Sequence, residues 1–155
     1  MDPSTTAGPH RTAFLLSQLG ALASARFAER TRTLGLTPAD AGVLRLLGRT
    51  PGLNQRVLAD RLGAVPSRIV ALIDSLEARG LVERTRSSAD RRSYELRLTG
   101  NGQELLAALR RTVREHEDQL LGSLTPEQAE QLHDLLARLA AANSVDPDLH
   151  QNTGS

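Results

Sequence analysis

Apolar residues recur along most of this chain with helical spacing, and in one stretch with the spacing of a strand. From Thr12 to about Arg32 they fall at Leu15, Leu16, Leu19, Leu22, Ala23 and Phe27, a helical period. Thr37-Pro38 reads as an N-cap followed by proline at the first helical position. It opens a second helix through Val43, Leu44, Leu46 and Leu47, which Thr50-Pro51-Gly52 ends. A short third helix, from about Gln55 to Leu62, turns Leu58, Ala59 and Leu62 inward, and Gly63-Ala64 supplies the turn that follows. Pro66 opens the fourth helix, where Ile69, Leu72, Ile73 and Leu76 stand at i, i+3, i+4 and i+7, and Gly80 stops it. At about 100° per residue, Ser67, Ala71 and Asp74 lie on the opposite face, with Arg68 and Val70 on its flanks.

The period then changes. Leu81 to Arg86 and Ser93 to Leu98 have strand character, and Tyr94, Leu96 and Leu98 alternate with Ser93, Glu95 and Arg97. Between them Ser87-Ser88-Ala89-Asp90-Arg91-Arg92 is small or charged and makes an exposed tip. Helical spacing returns from Gln103 to about Gly122, through Leu105, Leu106, Leu109, Val113, Leu120 and Leu121. Thr125-Pro126-Glu127-Gln128 is a capping box, and a last helix follows with Leu132, Leu135, Leu136 and Leu139.

That order is far more restrictive than any one of its parts. Two short helices around a glycine turn, followed directly by a hairpin, describe a winged helix, which reads duplex DNA with one helix and one β-ribbon. The expected fold is mainly α, a winged helix-turn-helix with a small β-hairpin wing and amino- and carboxy-terminal dimerisation helices. The segments divide into a flexible start (1–10), a dimerisation helix (11–36), a DNA-binding lobe (37–100), further dimerisation helices (101–142) and a disordered tail (143–155). The end helices carry more leucine than a compact winged helix needs. A second subunit would best cover the surplus, and a bundle within the chain is the other way to bury it.

Charge sharpens the picture through its placement. The formal net charge of the 155 residues is only +1. From Arg45 to Arg92, however, ten arginines stand against five acids, and from Asn101 to Ala142 four stand against seven. All 19 basic residues are arginine, so clustering carries the information and abundance does not. A basic middle between neutral-to-acidic helices points to a DNA face on a separate scaffold. At the tip, arginine suits a minor groove, where its guanidinium meets an enhanced negative potential.

Other chemistries fare badly. Without cysteine there is no disulfide, thiolate zinc site or thiol switch. His116-Glu117-Asp118-Gln119 begins like a zincin helix but lacks the second histidine, and His10, His133 and His150 add no ligand spacing. No glycine-rich phosphate loop or nucleophile motif is present. No enzyme activity, metal or cofactor is expected. No apolar run approaches the roughly 18 residues of a membrane span, and Met1-Asp2-Pro3-Ser4 lacks the regions of a signal peptide. A cytoplasmic protein without a membrane partner is the expectation.

Leu58-Ala59-Asp60-Arg61-Leu62-Gly63 and the run from Ile73-Asp74-Ser75-Leu76-Glu77 through Gly80-Leu81-Val82-Glu83-Arg84 resemble the MarR family of bacterial transcription regulators. So does Asp90-Arg91-Arg92 with Leu96, Leu98-Thr99 and Gly102, spaced as that family's D-x-R…L-x-L-T-x-x-G. The resemblance spans roughly residues 10 to 142. It implies a homodimer on a pseudo-palindromic operator; repression is the expectation, and activation is the alternative, decided by where the operator lies relative to a promoter. It also implies altered affinity when a small molecule, of unknown identity, binds between the dimerisation helices and the reading lobe. That pocket would be lined from the first, second and fifth helices, and leucine and alanine there would make it apolar.

Position by position, the resemblance makes Arg92 the wing-tip arginine of the minor groove and Asp90 the acid that orients it. Pro66, Ser67, Arg68, Val70 and Ala71 fall where the family's recognition helix meets bases and backbone. With Arg86 and Arg91 of the wing, these form the candidate DNA-contacting set. Arg68 is within reach of either a guanine edge or a phosphate. One position departs from the family, which places a hydroxyl or acidic cap where this chain has Val65; that weakens the helix start by roughly a kcal/mol and removes a phosphate-facing contact. The partners expected are therefore double-stranded DNA, a second copy of the chain and a small-molecule effector. The alternative, a winged helix that binds protein and has lost DNA, would favour an acidic recognition face, and the arginines argue against it.

Overall fold

The computed structural model describes residues 11–145. The flexible start expected over 1–10 lies outside the described residues, as does all but 143–145 of the expected tail. The elements run α1 (Thr12–Thr33), α2 (Pro38–Arg49), α3 (Gln55–Leu62), α4 (Pro66–Ala78), β1 (Val82–Arg86), β2 (Tyr94–Leu98), α5 (Gly100–Leu120) and α6 (Pro126–Ala142). The fold is thus mainly helical with one antiparallel hairpin, as the change of period requires.

Local chemistry sets most of the boundaries. Thr37 and Asp40 form a reciprocal box at the start of α2, the Thr37 N–H donating to Asp40 Oδ2 at 2.9 Å and the Asp40 N–H to Thr37 Oγ1 at 3.1 Å. Asn54 caps α3 by accepting from the Val57 N–H at 2.8 Å. Gly63, at φ +60°, ends α3 in the left-handed conformation that costs glycine least. Asn143 closes α6.

The core sits inside the central lobe. Leu44 and Leu47 of α2, Leu58 of α3, Ile69, Ile73 and Leu76 of α4, Leu96 of β2, and Leu106 and Leu109 of α5 are all fully buried in one cluster. The hairpin pairs Val82 with Leu98 through to Arg86 with Tyr94. One further bridge joins Leu53 to Leu96, the Leu96 N–H donating to the Leu53 carbonyl at 2.8 Å. It pins the loop before α3 to the wing. A single bridge has no period, and the sequence pattern does not show it.

The helix α5 starts at Gly100, three residues before the expected Gln103. Thr99 is the reason. Its Oγ1 accepts from the Gly102 N–H at 3.1 Å and donates to the Gly80 carbonyl at 2.5 Å, while its N–H donates to the Leu81 carbonyl at 3.1 Å. A side chain on Gly102 would run into that same Leu81 carbonyl. The Leu-Thr-x-x-Gly motif is therefore a clasp joining the end of α4, the first strand and the long helix.

The two ends of the chain remain uncovered. Phe14, Leu15, Leu16, Leu19 and Leu22 of α1 are exposed, as are Leu135, Leu136 and Leu139 of α6. No residue of α6 is buried, and α6 makes no substantial packing on any other element. Only the carboxy-terminal half of α1, through Phe27 and Thr31, is buried. An intrachain bundle of α1 and α6 is not formed. Among the described residues no helix is long and apolar enough to cross a membrane.

Candidate nucleic-acid interface

The candidate recognition helix, α4, is oriented by its buried stripe. Ile69, Ile73 and Leu76 fix one face in the core, which leaves Pro66, Ser67, Arg68, Val70, Ala71 and Asp74 exposed. The departure at Val65 is visible in the geometry. Val65 stands at the N-cap in an extended conformation, makes no side-chain cap bond and is 63% exposed. The helix start is held by main chain alone, with the Arg68 and Ile69 N–H groups donating to the Val65 carbonyl at 3.1 and 3.3 Å.

The wing tip is held by its own hydrogen bonds. Ser87 is buried, and its Oγ accepts from the Ala89 and Asp90 N–H groups at 3.2 and 3.3 Å. Its N–H donates to the Ser93 carbonyl at 3.0 Å, and the Ser93 N–H to the Asp90 carbonyl at 3.1 Å. Asp90 Oδ1 accepts from the main-chain N–H of Arg92 at 2.9 Å. Asp90 thus orients the backbone that carries Arg92 and forms no ion pair with its guanidinium. Arg91 and Arg92 are exposed, while the Arg86 guanidinium lies 5.9 Å from the centre of the Tyr94 ring across the hairpin.

Two arginines outside the expected set build the site. Arg84 of β1 donates to Asp74 at 2.5 Å and to Glu77 at 3.0 Å, both on α4. The Asp74 hydrogen bond raises the Arg84 pKa most; burial opposes it, and the charges of Glu77 and Asp74 add to the rise. The wing and the recognition helix are thereby tied together. Arg79, at the end of α4, donates to the Gly35 carbonyl at 2.7 Å and approaches the buried Asp40 carboxylate at 3.5 Å. That contact fixes α4 to the start of α2. The available signal for Arg84 was an i, i+3 acid pair facing an arginine-bearing strand, which becomes a contact only once the strand's path is known.

On the scaffold side, an open cleft of about 630 Å³ lies between α1 and α5, with Arg26, Glu29, Arg30, Asp118 and Gln119 in its walls. Arg30 donates to the Gln119 side chain and stands 3.9 Å from Glu115. The His116 ring packs on Phe27 at 5.9 Å. Burial depresses the His116 pKa, Arg30 and Arg26 push it further down, and Glu117 opposes them. Charged side chains dominate the walls of this cleft, and α2 has no part in it. The exposed leucines of α1 lie toward its amino end, whereas the segment that meets α5 carries Arg26, Glu29 and Arg30.

A model described as MarR family matches residues 34–93. A transcriptional regulatory protein for the hcr operon of Thauera aromatica is 34% identical over 117 residues, covering 76% of this chain and 70% of the relative. Among solved structures, the transcriptional repressor CouR bound to a 23-mer DNA duplex matches with a TM-score of 0.75 and 38% identity, over 83% of this chain and 92% of that one. The Mycobacterium tuberculosis protein Rv2887 in complex with salicylic acid matches with a TM-score of 0.68 and 29% identity, over 83% of this chain and 95% of that one.

Proposed function

This chain belongs to the MarR family of transcription regulators, and on that footing we propose that it is a homodimeric, DNA-binding repressor whose grip on a pseudo-palindromic operator is set by a small molecule. The observation that carries the reading is the central lobe itself. A recognition helix with a free outer face and an arginine-tipped wing are clamped together by Arg84, on the basic part of the chain. Pro66, Ser67, Arg68, Val70 and Ala71 then meet the major groove, Arg91 and Arg92 the minor groove, and Arg86 the backbone between, with Asp90 shaping the tip.

The remaining roles follow from the uncovered surface. Residues 11–36 and 101–142 supply the dimer helices, and 37–100 the reading lobe. Pairing of the α1 and α6 leucines sets two recognition helices on one face of a duplex, at half-sites about 34 Å or one helical turn apart. The site of action is the cytoplasm, where the chromosome lies, and the role is regulation with no catalytic step. For the effector, the salicylate held by Rv2887 supports a small aromatic acid. The guanidinium groups of Arg26 and Arg30 in the α1–α5 cleft are suited to its carboxylate.

Footprinting on the DNA flanking the protein's own gene tests this. The expected result is one protected stretch with two related half-sites, lost on adding salicylate at millimolar concentration. A protein that protects no DNA and instead captures another protein would support the rival interaction module.

A further inference from the structure

Between residues 37 and 100 the exposed large apolar side chains are Val65, Val70 and Tyr94; all the others lie on α1, on α6 or at Val145. Those on α1 and α6 have a dimer to bury them, and Tyr94 has the Arg86 guanidinium against its ring. Val65 and Val70, 63% and 42% exposed, have no such cover. Val65 stands at the N-cap of α4 and Val70 in its amino-terminal half, and their polar neighbours there are small or set to the side: Ser67 on the outer face, Arg68 on the other flank. Val70 lies one turn along from Pro66, in the row that leads to Asp74.

Two unpartnered valines on a surface that meets DNA need an apolar feature to meet. The major-groove edge of duplex DNA offers one, the C5-methyl group of thymine. The small side chains beside them, Ser67 and Ala71, let the helix come close enough for van der Waals contact. Val65 adds a second line of support. At an N-cap, valine forgoes the hydrogen bond that serine, threonine or aspartate would make, and here no other side chain replaces it. A helix start left uncapped and topped by an exposed valine exchanges a polar contact for an apolar one. The local excess of arginine holds the phosphates on either side, so the two valines are free to discriminate.

We propose that Val65 and Val70 are specificity-determining residues that read thymine methyl groups, so that each operator half-site carries thymine at one or two fixed positions facing the start of α4. This rests on the DNA-binding reading above and names the base chemistry that it recognises. Each lost methyl contact should weaken binding about fourfold, and the two half-sites of a dimer multiply that to about fifteenfold.

The test begins with a random duplex pool, from which the full-length protein selects its preferred sequence. That duplex is then made again with deoxyuridine replacing thymidine one position at a time, and affinities are read by fluorescence anisotropy. The expected result is a loss of the stated size at one or two thymines per half-site. Val70→Ala and Val65→Ser should each abolish the sensitivity at one of these positions. Any effect of deoxyuridine on DNA shape would persist in the variants, whereas a methyl contact would not. Val65→Ser should also raise the melting temperature by restoring a cap, which separates the reading role from the capping role. Equal affinity for the thymidine and deoxyuridine duplexes, or a sensitivity that survives in both variants, would overturn the inference and leave DNA binding intact. If no duplex is enriched, the DNA-binding reading fails and the inference with it.

Discussion

Single side chains divide the reading surface into groups that grip and groups that choose. Arg92→Ala should weaken binding to operator and to unrelated duplex alike, and lower the salt dependence by about one unit of slope, as loss of one phosphate-region cation does. Asp90→Ala should act in the same direction but less, because Asp90 holds the Arg92 main chain and leaves the guanidinium free. Arg68→Ala separates two roles: a cost of roughly 1–3 kcal/mol on the operator with little change on scrambled DNA assigns it to a base edge, and equal losses assign it to phosphate. Anisotropy titrations on both duplexes at several salt concentrations measure all three variants. The exposure of Ser67, Ala71 and Asp74 was legible in the sequence because four apolar positions, Ile69, Leu72, Ile73 and Leu76, fix the rotation of α4. The missing cap at Val65 was legible too. What Asp90 holds was not, since a carboxylate two residues from an arginine can meet either its main chain or its side chain, and only the turn decides. Ser87 was invisible for the same reason: a serine in a small, polar tip gives no sign that its hydroxyl will be buried beneath the turn.

Among the elements, the contact of greatest consequence is the one between β1 and α4. Arg84→Gln leaves Asp74 and Glu77 without their shared cation and frees the wing to tilt. Stability should fall by no more than about 1 kcal/mol, because both carboxylates are largely solvated. Operator affinity should fall further than affinity for random duplex, because the angle between helix and wing is what a fixed half-site demands. A melting curve with paired binding titrations checks this, and equal losses on both duplexes would reduce Arg84 to a generic cation. The junction of α1 with α5 adds a pH dependence. Folding depresses the His116 pKa below its ordinary value of 6.5. Above that value both folded and unfolded chains carry neutral His116; below it the unfolded chain takes up a proton that the folded chain resists, so stability falls as the pH drops. Replacement by Gln should flatten the melting temperature between about pH 7.5 and 5.5. Helix periods and caps made these elements legible from the sequence. The early start of α5 was hidden by Gly100 and Gly102, poor helix formers that the Thr99 clasp nonetheless holds in helical geometry.

The molecule as a whole is shaped by what one chain leaves unburied. Leucines on α1 and α6 fitted either an intrachain bundle or a second subunit, since a hydrophobic stripe names no partner. The fold separates these helices and leaves both stripes open, and family membership supplies the partner. Leu19→Glu or Leu136→Glu should therefore break the dimer and, with it, most of the operator affinity, although neither residue belongs to the reading lobe. The charged character of the α1–α5 cleft was the part least legible from composition, because leucine-rich helices can still meet along a polar seam. Sedimentation of the full-length protein with the duplex defined by footprinting tests the central claim most directly. The expected complex holds two chains and one duplex, and an Arg91→Ala, Arg92→Ala double variant should leave the dimer intact but the duplex unbound. A folded monomer, one chain per duplex, or a double variant that binds as tightly as the parent protein would contradict it.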